Sequence, residues 1–445
     1  MNEYDVVVVG GGVTGAAVLY TLACFTDVER VALLEKEADI GGVNSRHTHN
    51  SQTLHFGDIE TNYGRDRAEA VKEGAELVAG YLEATDPGRE FHSVRSKLVL
   101  GVGDEEVAAL RRRYDEEGFD ELFPKLSPIG REKIGEIEPA VVAGRDPDES
   151  LLALRTPDGY TVDYGALARS FVDTACDVGG VDVYTDAPVT AIEESAAGYV
   201  LSTPIGSFDA DFAVVAAGAH SLGLAQQLGY GEHLSLLPVA GSFFVADGGL
   251  LNGKVYTVQL KDLPFAAIHG DADVYDADVT RFGPTAKVVP TLERGRLSTI
   301  PDFLEVFGLR FGAVRSYTSL LADRTFLPFL LRNLAYDAPV VGQRAFLPHV
   351  EKIVPTIERG DVERAAGIGG IRPQIVDVES GTLRMTEVSL EGPAIVFDIT
   401  PSPGASICLH NARLNAERVL ESLDGKYTFD EDAFEAATID NFPRG

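Results

Sequence analysis

Gly10, Gly12 and Gly15 stand at the spacing G-x-G-x-x-G, directly after the four valines Val6 to Val9. Glycines so placed can cradle a pyrophosphate: the first makes a tight turn, the second lets backbone approach the phosphates, and the third lets a helix pack on a strand. A helix opening at Val13 and Thr14 turns its N–H groups and positive dipole end toward that anion. Glu35, with Lys36 after it, ends a second apolar strand, Val31 to Leu34. It lies about 20 residues past the glycines, where an acid holds a ribose hydroxyl pair and argues against a 2′-phosphate. An isolated fingerprint is often a plain glycine-rich turn, but here strand, glycines, helix, second strand and acid occur in order. Dinucleotide binding is the chemistry implied. FAD and NAD stay open, because they share the adenosine diphosphate half.

Two further stretches carry groups suited to a ligand. Asp39 to His55 is polar throughout and reads as a loop beside a bound molecule. Its three histidines, His47, His49 and His55, have no carboxylate or cysteine cluster to complete a metal site, so no metal is expected. Ala210 to Ser221 is a buried strand ending in Ala217-Gly218, small residues that admit a cofactor's close approach.

These residues need rigid elements to hold them. Four consecutive valines fit a strand covered on both faces. Helices are expected over Arg67 to Leu82, Asp104 to Gly118 and Asp163 to Ala175, and strands over Val94 to Gly101, Val181 to Tyr184, Val189 to Glu193, Tyr199 to Ser202 and Phe208 to Ala216. Leu236 to Thr299 is strand-like with many turns, including Val239 to Val245, Gly253 to Val258, Phe265 to His269 and Arg281 to Thr285. Residues 316 to 336 read as helical. A strand from Ala394 to Ile399 leads into a turn that opens a helix after Thr400.

The chain has 445 residues, 45% of them hydrophobic, enough for a large core and two or three structural units. Its 69 acidic residues against 38 basic ones, mostly arginine, give a net charge of -31. Such a surface repels phosphates, so no nucleic-acid partner is expected. It resembles the surfaces of halophilic proteins, which work in molar salt. At about 1 M the Debye length is about 3 Å and surface acids barely repel one another. Cys24, Cys176 and Cys408 are isolated and expected as buried free thiols. With the first residues already strand-like and no apolar run long enough to span a bilayer, the expected location is cytoplasmic, soluble or peripheral on a membrane.

The glycine fingerprint, the Ala217-Gly218 strand, Arg372-Pro-Gln and the helix entry at Thr400 to Ala405 together resemble the D-amino-acid-oxidase-like superfamily of FAD oxidoreductases. Within it, Asn50 to Tyr63, Leu237-Pro-Val-Ala-Gly-Ser242, Leu263 to Asp271 and Thr400-Pro-Ser-Pro-Gly-Ala405 resemble the shorter branch of the malate:quinone oxidoreductase family. The blocks cover nearly the whole chain in order; Ser45 to His49 departs from the pattern.

The resemblance implies noncovalent FAD, oxidation of (S)-malate to oxaloacetate, and electron delivery to membrane quinone without NAD. Gly10, Gly12, Val13, Thr14, Gly15, Glu35 and Lys36 would then hold the adenosine and pyrophosphate, with Val189 toward adenine and Ala217 and Gly218 beside the cofactor. Asn50, Ser51, Gln52, Thr53 and Gly370 would lie near the flavin ring. Pro403, Gly404, Ala405 and Ser406 would form the helix entry, Gly404 and Ala405 giving N–H groups to the pyrimidine edge.

Malate oxidation needs a base for the hydroxyl proton and cations for two carboxylates, tasks suited to histidine and arginine. Arg372 is the first carboxylate clamp expected and Arg281 the second; a structural ion pair is the competing role for each. His269 is the candidate base, with Asp271 orienting it, and His55 competes. The expected fold is α/β: a Rossmann-type FAD-binding domain, discontinuous over 1–90, 151–230 and 360–445, with a mainly antiparallel β-sheet substrate domain from 91–150 and 231–359. Alternatives are a dehydrogenase of another 2-hydroxy acid such as L-2-hydroxyglutarate, or a non-catalytic flavoprotein scaffold. The apolar stretch Phe326 to Leu334 suits either a bilayer surface or core packing, and the acidic surface gives no pull toward anionic lipid.

Overall fold

The computed structural model describes residues 2–259, 267–307, 326–338, 341–384, 386–401 and 403–443. Its first strand, β1 (Asn2–Val9), pairs in parallel with β2 (Val31–Leu34) on one side and with Gly206–Val215 on the other. Val6 and Val8 feed one apolar core while Val7 and Val9 feed another, so both faces are covered, as four valines in a row require. Val6, Val7 and Val8 are at 0% exposure, and each such side chain contributes about 1.5–3 kcal/mol on burial. Val181–Tyr184 continues the parallel sheet beyond β2, and Ile395–Ile399 beyond Gly206–Val215. Helix α1 (Val13–Phe25) packs with the helices Tyr164–Val178 and Cys408–Ser422. The second of these three begins at Asp163, whose carboxylate accepts from the amides of Gly165 and Ala166. This is the Rossmann-type layer.

A second eight-stranded sheet runs Glu363–Arg364, Phe244–Asp247, Val279–Gly283, His269–Ala272, Lys254–Thr257, His92–Val102, Leu151–Val162, Ser127–Gly130. Its described pairings are antiparallel, except that Lys254–Thr257 is parallel to His92–Val102. A four-stranded antiparallel sheet, centred on Leu234–Ala240 and Ile371–Asp377, completes the sheets. The chain is thus an α/β molecule with a mainly antiparallel second part.

Several boundaries differ from the sequence expectation. Leu151–Val162 hydrogen-bonds along the long strand His92–Val102, so the crossing back to the Rossmann-type layer falls at Asp163 rather than at 151. Glu363–Arg364, expected on the flavin side, likewise edges the antiparallel sheet. The run Val239 to Val245 splits between two sheets, because the strand Leu234–Ala240 ends before Gly241. Cys408 is buried but Cys176 is exposed and Cys24 lies between. Of the helix expected over 316–336, Phe326–Tyr336 is a helix and residues 316–325 lie outside the described residues, as do Phe265 and Ala266 of the expected strand Phe265 to His269, whose described strand begins only at His269. Among the described residues no helix is long and apolar enough to cross a membrane.

Candidate active site

The turn after β1 opens a cleft of about 640 Å³, within the range of small-molecule and cofactor sites. Gly10 has φ +104°, and a Cβ there would sit 2.5 Å from the Ala216 carbonyl oxygen. A Cβ on Gly15 would lie 1.9 Å from the carbonyl of Gly10, so this glycine closes the turn from behind and does not face the cleft. Gly12 is the N-cap of α1 and supplies no capping side chain; Ser45 Oγ takes the Val13 amide at 2.9 Å. Glu35 is 6% exposed and accepts from the amides of Gly11 at 2.6 Å and Glu37 at 2.8 Å. Burial pushes its carboxyl above the ordinary range, against those two hydrogen bonds.

The cleft is lined by Gly10, Gly12, Val13, Thr14, Glu35, Lys36, Val189, Ala217 and Gly218, and also by Asn50, Tyr164 and Ala405. Such a groove has the parts a dinucleotide site uses: a glycine turn, a helix N-terminus and a carboxylate after the second strand. No group of histidine, cysteine or carboxylate side chains suited to a metal occurs among the described residues.

The remaining cofactor candidates sit off the cleft wall. Gln52, at φ +57°, donates to Asp273 Oδ2 and the His47 carbonyl and accepts from the Val274 amide. It and Thr53 fix the shape of their loop, beside Ser51. Gly370 is there because a Cβ would lie 2.1 Å from the His49 carbonyl oxygen. Ser406 Oγ accepts from the His55 amide at 2.9 Å. Gly404, after Pro403, donates its N–H to the Pro401 carbonyl, so at this helix entry Ala405 rather than Gly404 reaches the cleft.

A second group of polar residues gathers around Tyr256. His269 stacks on its ring with centroids 4.3 Å apart and planes 9° from parallel, while His55 approaches edge-on at 6.4 Å. Each histidine has its own acid. His269 Nδ1 lies against Asp271 Oδ2, and His55 Nδ1 is 2.6 Å from Glu60 Oε1. Burial lowers the proton affinity of His269, partly offset by Asp271, so a neutral imidazole is favoured. Burial works to raise Glu60, but the hydrogen bond and charge of His55 prevail and hold it down at about 2.

The two expected clamps prove unlike. Arg281 is 2% exposed and donates to the carbonyls of His47 and Asn50 and to Asp273 Oδ2. With its guanidinium also 4.6 Å from the centre of the Phe243 ring, it pins the loop through three protein acceptors, and its buried Nε is left without a hydrogen-bond partner among the described residues. Arg372, partly buried on Ile371–Asp377, has no acid partner among the described residues. Burial lowers its proton affinity, opposed only by Tyr256 and Tyr63. A guanidinium without an acid partner is free to pair with an anion.

Sequence reading passed over Lys254, Tyr256, Glu60 and the Lys97–Asp58 pair. Lys254 and Tyr256 alternate on one strand as His269 and Asp271 do on the next, and the register sets Lys254 opposite Asp271 and Tyr256 opposite His269. A polar residue at every second position of an apolar strand was the available signal.

These features define the class. A family model described as FAD dependent oxidoreductase matches residues 5–388. The solved L-alpha-glycerophosphate oxidase of Mycoplasma pneumoniae superposes with a TM-score of 0.68 at 16% identity, covering 97% of each chain, which speaks for the fold. A protein named probable malate:quinone oxidoreductase from Campylobacter jejuni is 38% identical over 98% of this chain and 99% of its own length. The malate:quinone oxidoreductase of Helicobacter pylori is 38% identical over 94% of both chains. The chain belongs to the malate:quinone oxidoreductase family. The mitochondrial L-2-hydroxyglutarate dehydrogenase of Nematostella vectensis is a more distant relative, 25% identical over 94% of this chain and 91% of its own length.

Proposed function

We propose that this protein oxidises (S)-malate to oxaloacetate with FAD and passes the electrons to a membrane quinone. Arg372 is the observation that carries the reading: a cation without an acid partner among the described residues, within electrostatic reach of Tyr256, the ring on which His269 stacks. Its guanidinium takes a substrate carboxylate in a bidentate pair. The Nε2 of His269 accepts the hydroxyl proton while Asp271 holds the Nδ1 side, the arrangement of an oriented general base. FAD bound in the cleft would supply the acceptor for the hydride leaving the same carbon. His55, held by Glu60, remains the competing base. In sum malate loses two electrons and two protons, and the quinone gains both.

The exposed leucines of helix Phe326–Tyr336 support a membrane contact. Leu327, Leu331 and Leu334 are exposed at spacings of four and three residues, on one helix face. Leu297, Leu304 and Val341 in flanking segments are exposed too. Such a face suits shallow insertion at the inner surface of the cell membrane, where quinone is reached. Vesicle sedimentation tests it: Leu331→Glu should release the protein from neutral lipid, and unchanged sedimentation would count against this face. The acidic surface supports work in high salt.

The test of function is quinone reduction assayed over a panel of malate, L-2-hydroxyglutarate, lactate and glycerol 3-phosphate. Malate should give the highest kcat/KM. A preference for L-2-hydroxyglutarate would move the protein to its distant relatives' substrate, and no turnover with any of them would leave the scaffold.

A further inference from the structure

One register row of the antiparallel sheet is polar across five strands. Thr156, Lys97, Lys254, Asp271 and Arg281 stand side by side on neighbouring strands, and none is more than 9% exposed. Each grips the loop that crosses above or the neighbour beside it. Lys97 Nζ meets Asp58 Oδ1 at 2.7 Å and Thr156 donates to Asp58 Oδ2 at 2.6 Å. Lys254 Nζ donates to Thr53 Oγ1 at 3.1 Å, and Arg281 holds His47 and Asn50 by their carbonyls.

Lys254 occupies a special place in this row. Its side chain is fully buried, with Nζ 3.7 Å from Asp271 Oδ1 while the other oxygen of Asp271 lies against His269; burial lowers the proton affinity of the amine and the charge of Asp271 opposes that. One carboxylate therefore serves two basic groups. A cation there keeps Asp271 ionised and competes with the imidazole for it, so the imidazolium gains less from its carboxylate than an isolated pair would give.

We propose that Lys254 is a positioning residue that acts through Asp271 to keep His269 unprotonated and ready to accept a proton, while tying that pair to the loop at Thr53. The proposal rests on the reading of His269 as the base. The charged and titratable groups around His269 are Asp271 on its own strand, Lys254 and Tyr256 on the preceding strand, Arg281 on the following one, and His55 from the loop with Glu60 behind it. Burial and the charges of Lys254 and His55 disfavour the imidazolium, and Asp271 favours it. Removing the Lys254 charge leaves Asp271 to the imidazole, which then binds its proton more tightly.

The test is the pH dependence of kcat/KM for malate with a soluble quinone, measured on flavin-loaded wild type, Lys254→Met, Lys254→Arg and His269→Asn. In Lys254→Met the acidic limb should move to higher pH by about one unit or more, and Lys254→Arg should return it toward the wild-type position. Should the methionine variant fail to hold flavin, Lys254→Gln, which keeps a donor to Thr53, carries the same expectation. An acidic limb that stays in place or moves down in the neutral variants overturns the proposal. His269→Asn separates the two levels. If its residual activity lacks the wild-type limb, the base assignment stands and an unmoved limb in Lys254→Met counts against Lys254 alone. If it keeps the limb at near-full rate, the base assignment falls and this role of Lys254 falls with it.

Discussion

The cofactor cleft and the corner around Tyr256 are built from different material. At the cleft the work is done by backbone: Gly10 in a left-handed conformation, the open end of α1, and the amides that fix Glu35, all within one local strand-turn-helix-strand unit. Around Tyr256 side chains do it, brought from a loop and from strands that are neighbours only by register. The first kind of site tolerates almost any side chain but no Cβ at its turn. The second tolerates side-chain change poorly, since buried charges such as Lys254, Asp271 and Arg281 balance one another and each is costly to orphan.

Breaking the cleft should have the largest effect. Gly10→Val places a branched side chain at φ +104° against the Ala216 carbonyl, and FAD affinity should fall by about 100-fold or more. The flavin-to-protein ratio after gel filtration measures this, and a fully yellow variant would contradict the cradle. On the other side, His269→Asn should keep its flavin and lose 10² to 10⁴ in kcat, the usual span of general-base catalysis. A loss below about tenfold would remove His269 from that role.

The two arginines sharpen the contrast inside the second region. Arg372→Lys should raise KM for malate by about ten- to a hundredfold with a smaller change in kcat, because lysine lacks the bidentate fork. Arg281→Lys should act mainly on stability, by about 1–3 kcal/mol, through the lost grip on His47 and Asn50. Denaturant unfolding beside steady-state kinetics separates them, and equal KM effects would put Arg281 back at the substrate. The smallest effect expected is in the wild-type pH profile. His269 is shifted down, so its neutral form persists below its ordinary pKa of about 6.5 and the acidic limb of kcat/KM should lie under that value. A limb above it would count against His269 as the group that titrates.

The same contrast explains what sequence could reveal. Val6 to Val9, Gly10, Gly12 and Glu35 are close in the chain, and the chemistry of a phosphate cradle dictates their types and spacing, so both the Rossmann-type layer and its cofactor end were readable. His269, Asp271 and Arg372 were reached through family resemblance, since a lone histidine on an apolar strand is ordinarily core. Lys254 and Tyr256 stayed hidden because their meaning lies in the pairing with Asp271 and His269, a register that no single segment encodes. The loop-holding role of Arg281, expected as the second clamp with a structural ion pair as its competing role, was hidden for the same reason: its carbonyl partners His47 and Asn50 lie far away in the chain. The crossing at Asp163 was misplaced because the strand Leu151–Val162 carries no local mark of which sheet it joins.

The most direct measurement is an anaerobic titration of the flavin-loaded protein with malate, followed by its visible absorbance. Bleaching that saturates with malate in the wild type, and needs far higher malate in Arg372→Lys, is the expected result. An absorbance that malate leaves unchanged, or that lactate bleaches as readily as malate does, would contradict a dicarboxylate held by Arg372 beside the cofactor cleft.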